Sequence, residues 1–249
     1  MATVVNMSAL DRPVWSALTT GDRRFAEGGS LALRFPPDIA PFGATVDASP
    51  GAFGALRELL SPEGRVALVT LDKLKPYPSF EVVREAPIIQ MVADAETPAP
   101  AVGPAPIVLG SGDVPDMLRL TQQTNPGPFG PRTHELGHYI GIRIDGALAA
   151  MAGERMRLDG CVEISAVCVS PDHRGKGYAA FLVAWLVRKL QGEGAMPFLH
   201  AFPDNPAIAL YERLGFKLTG FIPDYALKPH GGLTGTLIYW KRLQDTVPA

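Results

Sequence analysis

The sequence predicts an α/β protein, an α+β mixed sheet covered by helices and preceded by a smaller α/β part. Three observations predict it. Downstream of about residue 139, short apolar runs with strand-like alternation trade places with longer runs of helical period, as expected for packed layers of strands and helices. Within 161–191, CVEISAVCVSPDHRGKGYAAFLVAWLVRKLQ, a short strand passes through a glycine-rich turn holding Arg174 and Lys176 into an apolar helix. Thr97 to Pro106, TPAPAVGPAP, alternates proline so that neither helix nor strand ladder can form, which favours an extended spacer. The chain of 249 residues exceeds the usual size of one domain, and the spacer divides it into an N-terminal α/β domain at 1–96, a linker at 97–106 and a second domain at 107–249.

The elements follow in order. Ala9 to Leu18 and, more strongly, Ala52 to Leu60 have helical spacing, while Val66 to Leu71 (VALVTL) and Pro87 to Val92 (PIIQMV) are strand-like. This first part carries no chemical motif. Asp113 is placed to cap a helix running to about Gln123, and Asn125 to Pro131 is a turn-rich loop. Tyr139 to Ile144 and Ala147 to Ala152 form two strands about Asp145-Gly146, a hairpin signal. Then come a strand at 162–169, a helix at 178–190, a strand at 197–202, a helix at 206–214 and final strands near 216–222 and 234–241. In the 206–214 helix, Asn205 stands at the N-cap, Pro206 at the first helical position and Gly215 past the end. Ala207, Leu210, Tyr211 and Leu214 share one apolar face.

Composition excludes several function classes. With 47% hydrophobic and 19% charged residues and a formal net charge of −2, the chain has no electrostatic call for nucleic acid or an acidic membrane. No apolar run reaches the roughly 18 residues of a spanning helix, and MATVVNMSALDR lacks the pattern of a secretion signal. Cys161 and Cys168 are too few and too apolar in setting for a disulfide scaffold, so they read as buried thiols of a protein in a reducing, cytoplasmic compartment.

The turn at 174–179 has chemistry of its own. Gly175 and Gly177 let backbone approach a ligand closely, and the start of the following helix leaves several N–H groups unpaired and aimed at one spot. The helix dipole adds about half a positive charge there, and Arg174 and Lys176 add whole ones, so a diphosphate is favoured over a neutral group. GKGYAA, Gly175 to Ala180, has the letters of a dinucleotide fingerprint. The acid it requires is misplaced, however, because Glu193 precedes the next strand instead of ending it. The P-loop pattern of nucleoside triphosphatases is absent, since Lys176 is followed by Gly177. Coenzyme A is the third candidate.

A competing motif is His134-Glu135-Leu136-Gly137-His138, which matches the H-E-x-x-H of zinc proteases. That chemistry needs both histidines on one helical face. Here Pro131 precedes the motif, Gly137 interrupts it, a strand-like run follows at once and no third ligand is evident. No metal is expected, and the two histidines fall at a helix-to-strand junction where either one is a candidate to touch an acceptor.

Arg174-Gly175-Lys176-Gly177-Tyr178-Ala179 resembles the coenzyme A loop, [RQ]-x-x-G-x-[GA], of the GCN5-related N-acetyltransferase (GNAT) superfamily, and Asn205 to Phe216, NPAIALYERLGF, resembles its second signature. The resemblance covers about residues 107 to 243 and points within the superfamily to the FR47-like and glycine N-acyltransferase-like group. Some of that group carry a degenerate acetyltransferase-like half before the active one, which the length and α/β texture of residues 1–96 fit. The resemblance implies an enzyme that uses acetyl-CoA as co-substrate and transfers the acyl group to an amine by direct attack on the thioester.

It also implies site residues. Glu163, eleven residues before Arg174, has the spacing of the general base in histone-type members, and a carboxyl of ordinary pKa near about 4.3 would need burial or a relaying water to serve near neutrality. Tyr211 falls where many members keep the acid that serves the departing sulfur. The backbone of Val167, Cys168 and Val169 is expected beside the pantetheine, with a free N–H for the carbonyl oxygen. The loop Arg174 to Ala179 and Asn205 complete the coenzyme contacts. Asn205 departs from the pattern, standing six residues before the tyrosine where members commonly have asparagine seven before, the place of Asp204. The acceptor is a small-molecule or peptide amine, open among amino acids, small amines, antibiotics and protein N-termini, and the protein is a monomer or homodimer. The alternative from another class is a non-catalytic acyl-CoA binder or sensor.

Overall fold

The computed structural model describes residues 7–71, 77–78, 80–93, 97, 105–220, 226–227 and 233–234. In chain order the helices are α1 (Pro13–Thr19), α2 (Pro50–Glu58), α3 (Val114–Thr124), α4 (Tyr178–Gly192) and α5 (Ile208–Arg213). The strands are β1 (Glu27–Gly28), β2 (Ala32–Arg34), β3 (Phe42–Thr45), β4 (Ala67–Leu68), β5 (Ile89–Ala93), β6 (Ile107–Leu109), β7 (Tyr139–Ile144), β8 (Ala147–Leu158), β9 (Cys161–Val169), β10 (Met196–Ala201) and β11 (Phe216–Gly220). The expected strand at 234–241 lies almost wholly outside the described residues, where only Leu233–Thr234 is seen, paired with Ala226–Leu227.

Seven strands form the main sheet in the order β11-β5-β10-β9-β8-β7-β6. β6 to β9 run as an antiparallel meander, and β10 returns parallel to β9 through α4. A parallel return needs a crossover, which the fifteen-residue α4 supplies. Leu182, Val183, Leu186, Val187 and Leu190 of α4 pack on Ile140, Val162, Ile164 and Leu199 of the sheet. That burial explains why the helix is apolar nearly all round. Both faces of the sheet are covered. On the second face Met117 and Leu120 of α3 meet Tyr139, Met151, Ala166 and Cys168.

The N-terminal part contributes more than a neighbouring domain would. Its own sheet is small, four short strands in the order β1-β2-β3-β4, with α2 capped by the Ser49 hydroxyl, which accepts from Ala52 N at 3.2 Å. Its apolar residues Leu10, Val14, Leu18, Phe35 and Ile39 share one core with Met156, Leu158, Cys161 and Phe198 of the main sheet. Further, β5 lies inside the main sheet, antiparallel to β10 on one side (Phe198↔Val92 to Ala201↔Ile89) and to β11 on the other. Sheet and core are therefore continuous across the proline-rich spacer at 97–106, of which Thr97, Ala105 and Pro106 are described. Periodicity identified PIIQMV as a strand but not its partners, which lie more than 100 residues downstream.

β8 runs to Leu158, six residues past the expected end at Ala152. Glu154, Arg155 and Arg157 interrupt the apolar alternation, yet each finds a partner. Buried Glu154 accepts from Lys189 Nζ at 2.8 Å and from Arg157 at 2.7 Å. The backbone N–H of Arg157 donates to Asp22 Oδ2 at 2.9 Å, which ties the turn after α1 to the sheet.

Asp22 is 1% exposed, and burial pushes its carboxyl from 3.8 up to about 7, outweighing the Arg157 N–H and the nearby arginines that pull it down. A raised acid holds its proton more tightly when folded, so its contribution to stability is full below about pH 3.8 and is lost as pH rises through about 7. Asp22→Asn is expected to remove that loss. In melting curves from pH 4 to 8, the variant should gain on the parent steadily as pH rises; a constant difference would refute the assignment.

Candidate functional site

β9 and β10 pair over three positions only, Met196↔Cys161, Pro197↔Val162 and Phe198↔Glu163. Beyond them β9 stays with β8, β10 stays with β5, and the two facing edges part. A bulge adds to the opening. Gly153 pairs with Ser165 and Met151 with Cys168, so β9 carries one extra residue there, and Ala166 takes φ 52°. Left-handed backbone costs an alanine about 1 kcal/mol, and the sheet supports it because both neighbouring pairs are retained. The parted strands open onto a cleft of about 1710 Å³.

At the end of β9, a short turn at Pro171–His173 leads into Gly175 and Gly177 at φ 75° and 79°, followed directly by α4. This conformation is cheap only for glycine. Among the described residues, the N–H groups of Gly175, Lys176 and Gly177 meet no backbone carbonyl. They lie at the positive end of a fifteen-residue helix, with exposed Arg174 and Lys176 beside them. Lys176 Nζ is 3.0 Å from His173 Nδ1. Unpaired donors, two cations and a helix start in one concave turn suit a diphosphate, so the residues present fit the coenzyme A expected from the sequence.

The cleft brings most of the expected site residues together. Val167, Cys168, Val169, the whole of Arg174 to Ala179, Asn205 and Tyr211 all line it. Asn205 Oδ1 accepts from Ala207 N at 2.9 Å and thereby closes the turn before α5, while the regular helix begins later than expected, at Ile208. Tyr211 is 6% exposed, and its ring meets Phe216 edge-on with centroids 5.9 Å apart. Burial, with a smaller effect of the nearby Cys168, pushes the phenol up to about 12. Burial also raises the Cys168 thiol to about 11, so it is not a thiolate near neutral pH. The opposite wall comes from the N-terminal part, through Phe42, Phe53, Arg57, Tyr77, Phe80 and Arg84.

Glu163 is placed differently from what its spacing suggests. It is 0% exposed and is not among the residues lining the cleft. Arg155 donates to both of its oxygens, Nε to Oε2 at 2.8 Å and Nη2 to Oε1 at 2.6 Å, and His200 Nδ1 lies 2.8 Å from Oε1. Burial would raise this carboxyl, but Arg155 and His200 outweigh it and hold it at about 2. A carboxylate so engaged is a poor direct acceptor of a substrate proton. Glu163 sits one contact behind the cleft, with Arg155 and His200 between.

Sequence reasoning missed Arg155, His200 and Gln90. A signal existed for Arg155, a charge inside an apolar strand, which implies a buried partner if the strand continues. His200 and Gln90 carried none. The H-E-x-x-H histidines also differ from one expectation, because neither lines the cleft. His134 and Glu135 lie in a 3₁₀ turn at Thr133–Leu136, with Glu135 held by Arg132 at 2.7 and 2.8 Å. Among the described residues, no group of three or more His, Cys, Asp or Glu is placed to hold a metal ion, and no helix is long and apolar enough to cross a membrane.

Comparison with known proteins agrees with this geometry. The family model described as Acetyltransferase (GNAT) family matches residues 115–216. A crystal structure from Novosphingobium aromaticivorans assigned to the GNAT family is 40% identical with a TM-score of 0.78, covering 84% of this chain and 93% of its own. That is more than residues 107–249 alone could supply, so the shared fold extends into the N-terminal part. A GCN5-related N-acetyltransferase from Kribbella flavida has the same fold at 20% identity and a TM-score of 0.55, over 82% of this chain and 90% of its own. An uncharacterized protein of Mycobacterium leprae is 32% identical over 229 residues, 81% of this chain, and the chain spans 60% of that relative's length.

Proposed function

Because the chain belongs to the GNAT acetyltransferase family, we propose that it transfers the acyl group of acetyl-CoA to an amine by direct attack on the thioester. One observation carries this most: the strands part at a bulge whose free edge leads straight into the glycine cradle, so a diphosphate and the chain attached to it fit one continuous groove. Acetyl-CoA supplies an activated carbonyl and a sulfur leaving group. The protein's residues bind and orient it. The N–H groups of Gly175 to Gly177, with Arg174 and Lys176, hold the diphosphate, and the backbone of Val167 to Val169 lies along the pantetheine and offers an N–H to the carbonyl oxygen. Asn205 completes the wall.

Direct attack is favoured over transfer through an enzyme thioester, because Cys168, the thiol in the cleft, is raised to about 11 and stays protonated near neutral pH. Tyr211 serves the departing sulfur. A phenol near 12 keeps its proton throughout the working range, but full transfer to a thiolate of conjugate acid near about 8.5 is uphill. Tyr211 therefore acts chiefly as a hydrogen-bond donor to the developing negative charge. Tyr211→Phe is expected to lower kcat by about tenfold to a hundredfold and to leave the acetyl-CoA Kd within about twofold of the parent. Calorimetry and turnover measured on one preparation check this, and unchanged turnover would remove Tyr211 from the reaction.

The acceptor is a small-molecule or peptide amine, enclosed between the main sheet and the N-terminal wall. The two parts on either side of 97–106 work as one unit, since both line the cleft. Amine-dependent release of free thiol from acetyl-CoA tests the function, with free amino acids, polyamines and N-terminal peptides as acceptors. Thermal melting with acetyl-CoA, NADH, zinc or EDTA gives an independent check, because a ligand of the folded state raises the midpoint. Stabilisation by NADH and not acetyl-CoA would overturn the proposal.

A further inference from the structure

A buried chain of polar groups crosses the sheet behind the cleft. Arg155 of β8 lies over the Phe42 ring, 4.9 Å from its centroid, and clamps Glu163 of β9 through both oxygens. Glu163 Oε1 meets His200 Nδ1 of β10 at 2.8 Å. His200 Nε2 lies 3.0 Å from Gln90 Nε2 of β5, and that same amide nitrogen donates to Leu10 O at 3.1 Å. Of these groups Arg155 and His200 line the cleft, and Glu163 does not.

The chemistry of each contact fixes the next. An ionised carboxylate only accepts, so His200 Nδ1 carries a hydrogen. Leu10 O only accepts, so it holds the Gln90 amide with its NH₂ toward both neighbours, and His200 Nε2 meets a donor and keeps its lone pair. This is the neutral imidazole a proton acceptor needs, oriented by a carboxylate on its far side. Its position is apt as well. Phe198, the last β10 residue paired with β9, lies on the same side of the strand as His200, so His200 stands where the two strands begin to part.

We infer that His200 is the group that accepts the acceptor ammonium's proton, with Glu163, Arg155 and Gln90 as the residues that position it. This rests on the acyl-transfer function proposed above. In the step, an N–H bond of the ammonium breaks and its proton goes to His200 Nε2. The freed lone pair forms the N–C bond, the C–S bond breaks with its electron pair on sulfur, and the second proton of the attacking nitrogen passes to that sulfur, leaving a neutral amide and a free thiol. The imidazolium then returns its proton to water. Before the amine arrives, Gln90 occupies the Nε2 lone pair with a neutral donor. A charged ammonium is a donor roughly twice as strong, so it can take that place. The charged and titratable groups around the pair are Arg155 on β8, Tyr139 on β7 and Asp22 after α1.

His200→Gln tests the inference through the pH profile. The parent should release thiol with an amine, and at pH 7 the variant should lose about a hundredfold or more in kcat/KM for that amine, with acetyl-CoA affinity within about twofold. The deficit should shrink as pH approaches the amine's own pKa near about 10, where the acceptor arrives already deprotonated. A loss that is constant with pH, or no loss, overturns the role of His200. Glu163→Gln should lower kcat for the amine about tenfold or more while the acetyl-CoA Kd stays within about twofold, because the ring loses the carboxylate that orients it; an unchanged kcat removes Glu163 as its positioning residue. Nitrogen NMR of the parent decides even if a variant fails to fold. Protonation at Nδ1 in the neutral ring, with a titration that coincides with the acid limb of kcat/KM, supports the inference, and the opposite tautomer or a separate titration overturns it. A parent with no amine-dependent thiol release would instead defeat the acyl-transfer proposal itself.

Discussion

Arg155→Met is expected to lower the melting temperature by roughly 6–20 °C at neutral pH, the equivalent of about 3–5 kcal/mol in a chain of this size. The reason is the partner left behind. Glu163 is 0% exposed, and without the guanidinium its carboxylate would keep a single imidazole contact inside the sheet. Breaking one side of a buried pair costs far more than the pair contributes as a whole. Two controls separate this cause from a simple packing defect. Arg155→Met combined with Glu163→Leu should recover most of the lost stability, since no uncompensated charge remains, yet it should not recover turnover if Glu163 positions His200. The deficit of the single variant should also shrink in acid. Glu163 is held at about 2 against an ordinary 4.5, so its contribution is present above about pH 4.5 and is lost as pH falls through about 2. A single variant melting within about 2 °C of the parent at pH 7 would show that the pair is not buried as described.

A fragment of residues 105–249 is expected to show neither cooperative unfolding nor acetyl-CoA binding, although it holds every motif and the whole family match at 115–216. β5 explains the expectation. Without Ile89 to Ala93, β10 loses its antiparallel partner and β11 is cut off from the sheet. Unpaired backbone would then be exposed on both sides of the gap, beside apolar Phe198, Leu199 and Phe216. The second sheet face would also lose the cover of α1, Phe35 and Ile39. Calorimetry and calorimetric titration of the fragment check this. A cooperative transition, with acetyl-CoA affinity within about tenfold of the full chain, would show that the part after the spacer stands alone.

Both expectations concern features that residue patterns hold only in part. The strand and turn that open the hairpin at Asp145-Gly146, the strand β9 and the apolar α4 agree with the sequence to within two residues, because each is set by local periodicity and turn chemistry. The short α5 agrees less well, since its cap is an asparagine turn that delays the first regular helical residue to Ile208. The sequence predicts the strand after Asp145-Gly146 only to Ala152, and β8 continues because Lys189, Asp22 and Glu163 satisfy its charges and backbone from elsewhere. Those partners lie on three other segments, and spacing along one strand says nothing of them.

The sequence by itself determined the glycine turn that opens α4 and the family resemblance, because glycines, cations and a helix start within six residues act through local backbone geometry. Only the tertiary structure decided that β5 completes the sheet from before the spacer, that the N-terminal part walls the cleft, and that Glu163 is clamped behind His200. The physical reason is the same in each case. Strand pairing, burial and the charge state of a carboxyl depend on which groups face one another across the sheet, and many of those groups stand more than 100 residues apart in the chain.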